Sequence, residues 1–444
     1  ASTAADEQPP LELEHAIGIS GTLSNVLSYH PTDQNKYFYV AGGCLVVSDF
    51  ANPHDQLFFR GHDDGISCMA VSSSGRIVAT GQRGDNSDIL VWNFLGMQMM
   101  YRFSEHDNGI VSLAFSDDER LLASVGRDGK LIIWDMLTGM IVTSVYAKPA
   151  RCDIVRWAGM VKDVKRRDTA LYQLVTAGER KLFVWSLDPY TGETSAVAVS
   201  CGPTVRDLSC VDLSPDRELL FAGTKSGDVL CVSMRRHGLL LSVPACKLGV
   251  GAIRAADAEL VVAGGDGSLS LWSYVAPRDD PLRIVEQART EALVGGATSV
   301  ALTPGAAEAL AATDAGNVYR VPLRRDSPAL SPALLSESHA AAVTAVSYAR
   351  GVSDRFATAS ADCTLRVWDA NHYRVVSTAV VRDSGVPTCL EFSLDTLVSG
   401  WSDGSVRCHV ADGGAAALWV VPTAHKGGVT ALRLSNNMRF FARG

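Results

Sequence analysis

Two sets of residues in this 444-residue chain hold the side chains of a nucleophile, its base and an orienting acid. His106, Ser124 and Asp128 fall in one stretch that ends at Trp134, and His339, Thr358 and Asp362 precede Trp368 in the same order. A histidine placed between a hydroxyl and a carboxylate can activate the oxygen for attack on a carbonyl. The same groups can equally satisfy one another as a buried hydrogen-bond chain, since polar groups are tolerated in a core only when partnered. Recurrence separates the two readings. An active site is built once, whereas a structural device repeats with the fold. Both sets close on tryptophan and recur at the period of the chain, so they read as structural tetrads.

That period comes from the elements that must position them. The stretch GRDGKLIIWD (126–135) reads as a β-hairpin, with Asp-Gly in the turn and an apolar strand closing on Trp-Asp. Its relatives are NSDILVWN (86–93), ERKLFVWS (179–186), GDGSLSLWS (265–273), ADCTLRVWD (361–369) and SDGSVRCHV (402–410). Aligned on the tryptophan place, the units fall at Ser48, Trp92, Trp134, Trp185, Val232, Trp272, Val321, Trp368 and His409. The spacings are 44, 42, 51, 47, 40, 49, 47 and 41 residues. Ahead of each hairpin comes a run apolar on both faces, such as GIVSLAFS (109–116), then a second strand such as RLLASVG (120–126). Four short strands per unit at this period predict an all-β fold of tandem WD40 β-propellers.

One propeller holds four to eight blades, so nine and a fraction units must be divided. The division expected is an extended or disordered tail over residues 1–10, a seven-bladed propeller over 11–330, and the first blades of an incomplete second propeller over 331–444. The Pro/Ser-rich RRDSPALSPALLSE (324–337) marks the junction. LELEHAIGIS (11–20) reads as an outer strand with no blade of its own, closing one ring or the other. The unfinished second ring predicts that the chain is a fragment of a longer protein.

Composition narrows function. The net charge of −8 argues against a general nucleic-acid binder, and no apolar run of membrane length occurs. The acidic start, ASTAADEQPP, does not read as a signal peptide. The ten cysteines include no C-x-x-C and lie mostly in apolar runs, which reads as buried thiols in a reducing compartment. Signatures of phosphate binding, zinc hydrolysis and the nucleophile elbow are missing from the sequence, and no His/Cys pair has zinc-ligand spacing. The expectation is therefore a non-enzyme with no cofactor and no metal. The longest unit carries its excess in VKDVKRRD (161–168), where Lys162, Lys165, Arg166 and Arg167 form a surface loop suited to an acidic partner. Arg235-Arg236 and Arg324-Arg325 are weaker cases.

Beyond the repeat, GISG (18–21), Tyr29-His-Pro (29–31), GGCLVV (42–47), the phrase from FFRGH to IVATGQ (58–82), SEHDNGIVSLAFS (104–116) and AHKGGVTAL (424–432) resemble the cilia- and flagella-associated WD-repeat family of the axonemal doublet. The resemblance implies two tandem seven-bladed propellers and a non-catalytic scaffold inside the doublet microtubule at the inner junction. Its implied partners are tubulin and other microtubule inner proteins, with no nucleic acid and no membrane. It implies a place in the cytoskeleton of the cilium or flagellum and a need for the protein in motility. Residues 61–82 are also similar to echinoderm-type microtubule-associated proteins and to a centriolar WD-repeat relative, so a centriolar or cytoplasmic microtubule binder is the alternative. A substrate receptor of a cullin-type ubiquitin ligase is a third reading. None of the tetrapeptides after the tryptophans, Trp134-Asp-Met-Leu among them, has the arginine of the W-D-x-R motif that such receptors carry.

Overall fold

The apolar runs pair in chain order as antiparallel strands, and among the described residues there is no helix. The computed structural model describes residues 13–147, 152–163, 165, 167–202, 205–275, 282–382, 385–393, 395–414, 416–435 and 441–444. The chain divides into two compact units, Ala1–Leu335 and Ser336–Gly444.

The chain first forms seven sheets with four antiparallel strands each, over residues 27–60, 66–103, 110–146, 154–198, 208–244, 250–290 and 297–336, the sixth carrying a fifth strand from residues 329–330. Each tryptophan place sits on a third strand opposite an apolar second-strand residue, as Trp134 pairs with Leu122 and Trp185 with Leu174. A lone four-stranded sheet cannot bury both faces, so successive sheets stack and share cores. Cys68, Ala79 and Val91 of sheet two pack with Leu113, Leu122 and Trp134 of sheet three. The ring closes by the same packing, with Leu27, Tyr29 and Tyr39 of sheet one against Ala301, Leu310 and Val318 of sheet seven.

Hydroxyls near the start of the innermost strands staple neighbouring sheets. Ser67 donates to the Ile110 carbonyl and Ser209 to the Val250 carbonyl. At the closure Thr298 Oγ1 donates to the Gly21 carbonyl at 2.6 Å. Gly21 comes so close to sheet seven that a Cβ there would lie 2.2 Å from the Thr313 carbonyl oxygen. Only glycine fits.

Two expectations are corrected. Residues 13–20 form no strand. They run irregularly along sheet one, where the Ala16 N–H donates to Gln56 Oε1 and the Ser20 N–H to the Val40 carbonyl. The fourth strand of sheet seven comes instead from Ala333–Ser336. The junction segment is itself paired, since Ala329–Leu330 runs parallel to the outer strand of sheet six. Together these two short strands cover edges that would otherwise present unpaired amides.

The second unit has two four-stranded sheets, residues 343–380 and 387–421, and a two-stranded ladder of Leu432–Leu434 with Phe441–Arg443. Thr344 and Thr388 repeat the hydroxyl staple, donating to the Pro387 and Val429 carbonyls. The innermost strand of its first sheet leaves Val343, Val346 and Tyr348 exposed.

Candidate interaction surface

The first tetrad is a continuous hydrogen-bond chain. Asp128 closes the turn after the second strand of sheet three and lies 3.0 Å from His106 Nδ1. His106 Nε2 lies 2.9 Å from Ser124 Oγ, which accepts the Trp134 indole N–H at 3.0 Å. With a carboxylate accepting from Nδ1, that nitrogen carries the proton, Nε2 accepts the serine hydroxyl, and serine accepts the indole. The carboxylate also takes the backbone N–H groups of Asp107 and Lys130, tying the loop before the sheet to the hairpin within it.

His339, Thr358, Asp362 and Trp368 repeat the arrangement at 3.0, 2.6 and 2.7 Å. Burial would push the Asp362 carboxyl up, but hydrogen bonds from His339, Thr364 and the Ala340 N–H hold it well below the usual range. Burial lowers the His106 pKa despite the opposing charge of Asp128. Ser124 is 0% exposed and His106 2%. A hydroxyl so enclosed is already engaged by imidazole and indole, the geometry of a mutually satisfied buried chain.

A third chain went unread in the sequence. In sheet two His62 Nε2 meets Thr80 Oγ1 at 2.7 Å, and Thr80 accepts the Trp92 indole at 3.1 Å. Gln82 takes the carboxylate's place, 3.0 Å from His62 Nδ1. A search for His-Ser/Thr-Asp-Trp passes over it.

Outside the cores, one end of the first ring differs from the rest. In a four-stranded antiparallel sheet the turns between strands one and two and between strands three and four share an end. In sheets two, three and four the latter turns expose Leu95 and Met97, Leu137 and Met140, and Tyr190, with Leu137 85% exposed. These turns are neighbours. Tyr101 of sheet two donates to the Leu137 carbonyl, and its ring lies against Gly139. The Arg120 guanidinium lies 5.5 Å from the Tyr190 ring centre. The matching turns of sheets one and five are polar, Asn52-Pro53-His54 and Arg235-Arg236-His237. A contiguous apolar patch rich in flexible methionine is what a protein-docking surface offers.

The basic segment lies at this same end. Its extra residues mostly lengthen two strands, Ile154–Lys162 and Asp168–Gly178, rather than forming a long loop. Met160 pairs with Tyr172 and Lys162 with Asp168. Lys162, Lys165 and Arg167 are exposed, while Arg166 lies outside the described residues. Arg167 is partly neutralised, since its Nε and Nη2 donate to Asp163 Oδ2 at 2.9 and 2.8 Å. Of the weaker candidates, Arg325 is paired with Glu259. The ten cysteines are all unpaired thiols, four of them buried.

Radially stacked four-stranded sheets stapled by His-Ser/Thr-Trp chains define the class: this is a WD-repeat β-propeller protein. Residues 54–93, 97–135 and 333–369 match the family model "WD domain, G-beta repeat". Among solved structures, one of U3-55K is similar with a TM-score of 0.55 and 18% identity, covering 70% of this chain and 96% of that one. The chain is similar, at 29% identity over 437 residues, to "Cilia- and flagella-associated protein 52" of Chlamydomonas reinhardtii, covering 95% of this chain and 67% of that protein. The human protein of that name is 29% identical over 442 residues, covering 97% of this chain and 67% of its own length. The chain thus spans about two thirds of these relatives.

Proposed function

We propose that this protein is a non-catalytic scaffold of the ciliary or flagellar axoneme, bound to the doublet microtubule and to proteins inside it. The observation that carries this reading is the collinear similarity to cilia- and flagella-associated proteins of an alga and a mammal over at least 95% of the chain. The architecture supports it: a rigid ring whose His106-Ser124-Asp128 set is buried offers broad faces rather than a reactive cleft. The patch of Leu95, Met97, Leu137, Met140 and Tyr190, bordered by Lys162, Lys165 and Arg167, is the surface assigned to the partner. Apolar side chains supply the buried area there, and the cations steer an acidic surface such as tubulin.

The test has two arms. Fractionation of ciliated cells should place the protein in the salt-resistant axoneme, and an entirely soluble pool refutes the reading. Reversing Lys162, Lys165, Arg166 and Arg167 to Glu, and separately replacing Leu137 and Met140 with Asp, should each reduce axonemal retention without lowering the melting temperature. Full retention of both variants removes this face as the docking site.

A further inference from the structure

The innermost strands of the first ring place one residue each at a common level around the axis. In sheets one to seven these are Ser28, Ala70, Ala114, Arg156, Asp212, Arg254 and Ala301, each one residue before the position opposite the tryptophan-place pair. Three consecutive blades therefore present Arg, Asp, Arg, and the facing four present small residues. Between the two arcs lies a cavity of about 240 Å³ lined from sheets one to six.

The two guanidiniums are held alike. Arg156 Nη1 donates to the Val155 carbonyl at 3.0 Å and Arg254 Nη1 to the Ile253 carbonyl at 2.9 Å. Their Nη2 atoms converge on one acceptor, Asn25 Oδ1, at 2.9 and 3.0 Å. Asn25 adopts φ +56°, a left-handed conformation that asparagine tolerates. Asp212 is turned to the Ala255 N–H, which it accepts at 2.8 Å. Among the described residues no carboxylate lies within ion-pair distance of either guanidinium. Two cations thus share a neutral amide oxygen in a half-buried channel, each with further N–H groups to give. Burial and the charge of Arg254 bring Arg156 down to about 10, against the partial opposing attraction of Asp212, which lines the same cavity and leaves it a net positive charge. Buried cations of this kind are normally paired, because their desolvation goes otherwise uncompensated.

We propose that the axial cavity of the first propeller binds a small oxyanion, phosphate or a compact carboxylate, between Arg156 and Arg254. The volume is below the roughly 300–1,000 Å³ of drug-sized sites, which suits an ion with a few waters. Guanidinium forks match oxyanion geometry, and the Ala70 and Ala114 side leaves the space open. The inference is independent of the docking face proposed above.

The test is thermal unfolding of the 444-residue chain in millimolar inorganic phosphate, or in acetate, against chloride at matched ionic strength. These concentrations are too low for kosmotropic exclusion to act. At phosphate a hundred times its Kd the midpoint should rise by about 3–4 °C, and the two anions separate the two oxyanion chemistries. Arg156→Gln and Arg254→Gln should each weaken the response at least tenfold in concentration. Where these fail to fold, Asn25→Asp serves instead, since it places a carboxylate between the two guanidiniums. It should raise the midpoint in chloride and abolish the anion response. The proposal is overturned if neither anion shifts the midpoint, or if Asn25→Asp lowers the midpoint and leaves an anion response intact.

Discussion

Removing the Ser124 hydroxyl tests the reading of the tetrad as a strut. In Ser124→Ala the Trp134 indole N–H loses its acceptor at 3.0 Å and His106 Nε2 loses its partner at 2.9 Å. Both groups stay buried, and stranding a buried polar group costs about 1–3 kcal/mol, so the pair predicts about 2–6 kcal/mol. The first unit spans Ala1–Leu335. At about 2.1 cal/mol/K per residue its unfolding entropy is about 0.7 kcal/mol/K, which converts the loss to a fall in Tm of about 3–9 °C. Sheet four provides the control. There Trp185 donates to Thr176 Oγ1 at 2.8 Å, and the other side-chain partner of Thr176 is the weakly bonding Cys152 thiol, so Thr176→Val strands the indole and a thiol rather than an indole and an imidazole. Calorimetry of both variants, with Trp134→Phe and the Ser124→Ala/Trp134→Phe double mutant, completes a cycle. The double mutant should cost less than the sum by about 1–2 kcal/mol, because it removes both ends of one bond. Strict additivity, or a Ser124→Ala loss no larger than that of Thr176→Val, would refute the reasoning.

Acid should weaken the first unit before any carboxylate protonates. Burial lowers the pKa of His30, His62 and His106 and brings His15 to about 4. The unfolded chain, titrating near 6.5, takes up these protons first, so stability is complete above that pH and declines as pH falls toward about 4. Urea midpoints at pH 7.5, 6.0 and 5.0 should fall in that order, and a pH-independent midpoint contradicts the assignment. Gly21→Val forces a Cβ toward the Thr313 carbonyl oxygen, 2.2 Å away, at the ring's closure. Hydrogen exchange should accelerate in Leu27–Tyr29 and Ala297–Leu302 and stay unchanged in sheets three to five. Uniform acceleration would mean that the seam is not a separable element.

The period and the hairpins were legible because each blade repeats the same demand: a doubly apolar inner strand, a turn that accepts positive φ, and a large residue on the third strand. The N-terminal segment misled for a physical reason. LELEHAIGIS alternates as a strand does, but alternation does not say whether an edge is available, and Ala333–Ser336 already occupies the edge of sheet seven. That strand was hidden in turn because Pro328 and Pro332 made its surroundings read as a linker. The basic insertion was legible in position but not in form. Its added residues continue the pairing past Trp157, and Asp163, the first residue beyond the strand end at Lys162, accepts from Arg167 across the turn. The axial arginines left no trace in the pattern, since one residue per inner strand gains meaning only when register brings Arg156, Asp212 and Arg254 to one level.

The tetrads show why recognisable sequence thins faster than structure in such a chain. The three stretches that match the repeat model, residues 54–93, 97–135 and 333–369, are those holding His62, His106 and His339 with their complete chains to Trp92, Trp134 and Trp368. Elsewhere the demand is met by other means. Trp185 keeps a hydroxyl at the usual second-strand place but has no histidine bonded to it. Trp272 donates at 2.7 Å to Ser270 on its own strand. In the ninth sheet His409 stands in the tryptophan place, while Trp401 arises on the second strand and reaches Ser399 at 2.8 Å. Val232 and Val321 carry no polar atom and raise no such demand, and both are fully buried. Packing requires a filled third-strand site and, where the filler is an indole, an acceptor for its N–H. That requirement names a chemical function rather than a residue, so many sequences meet it and the blade persists after the motif has gone.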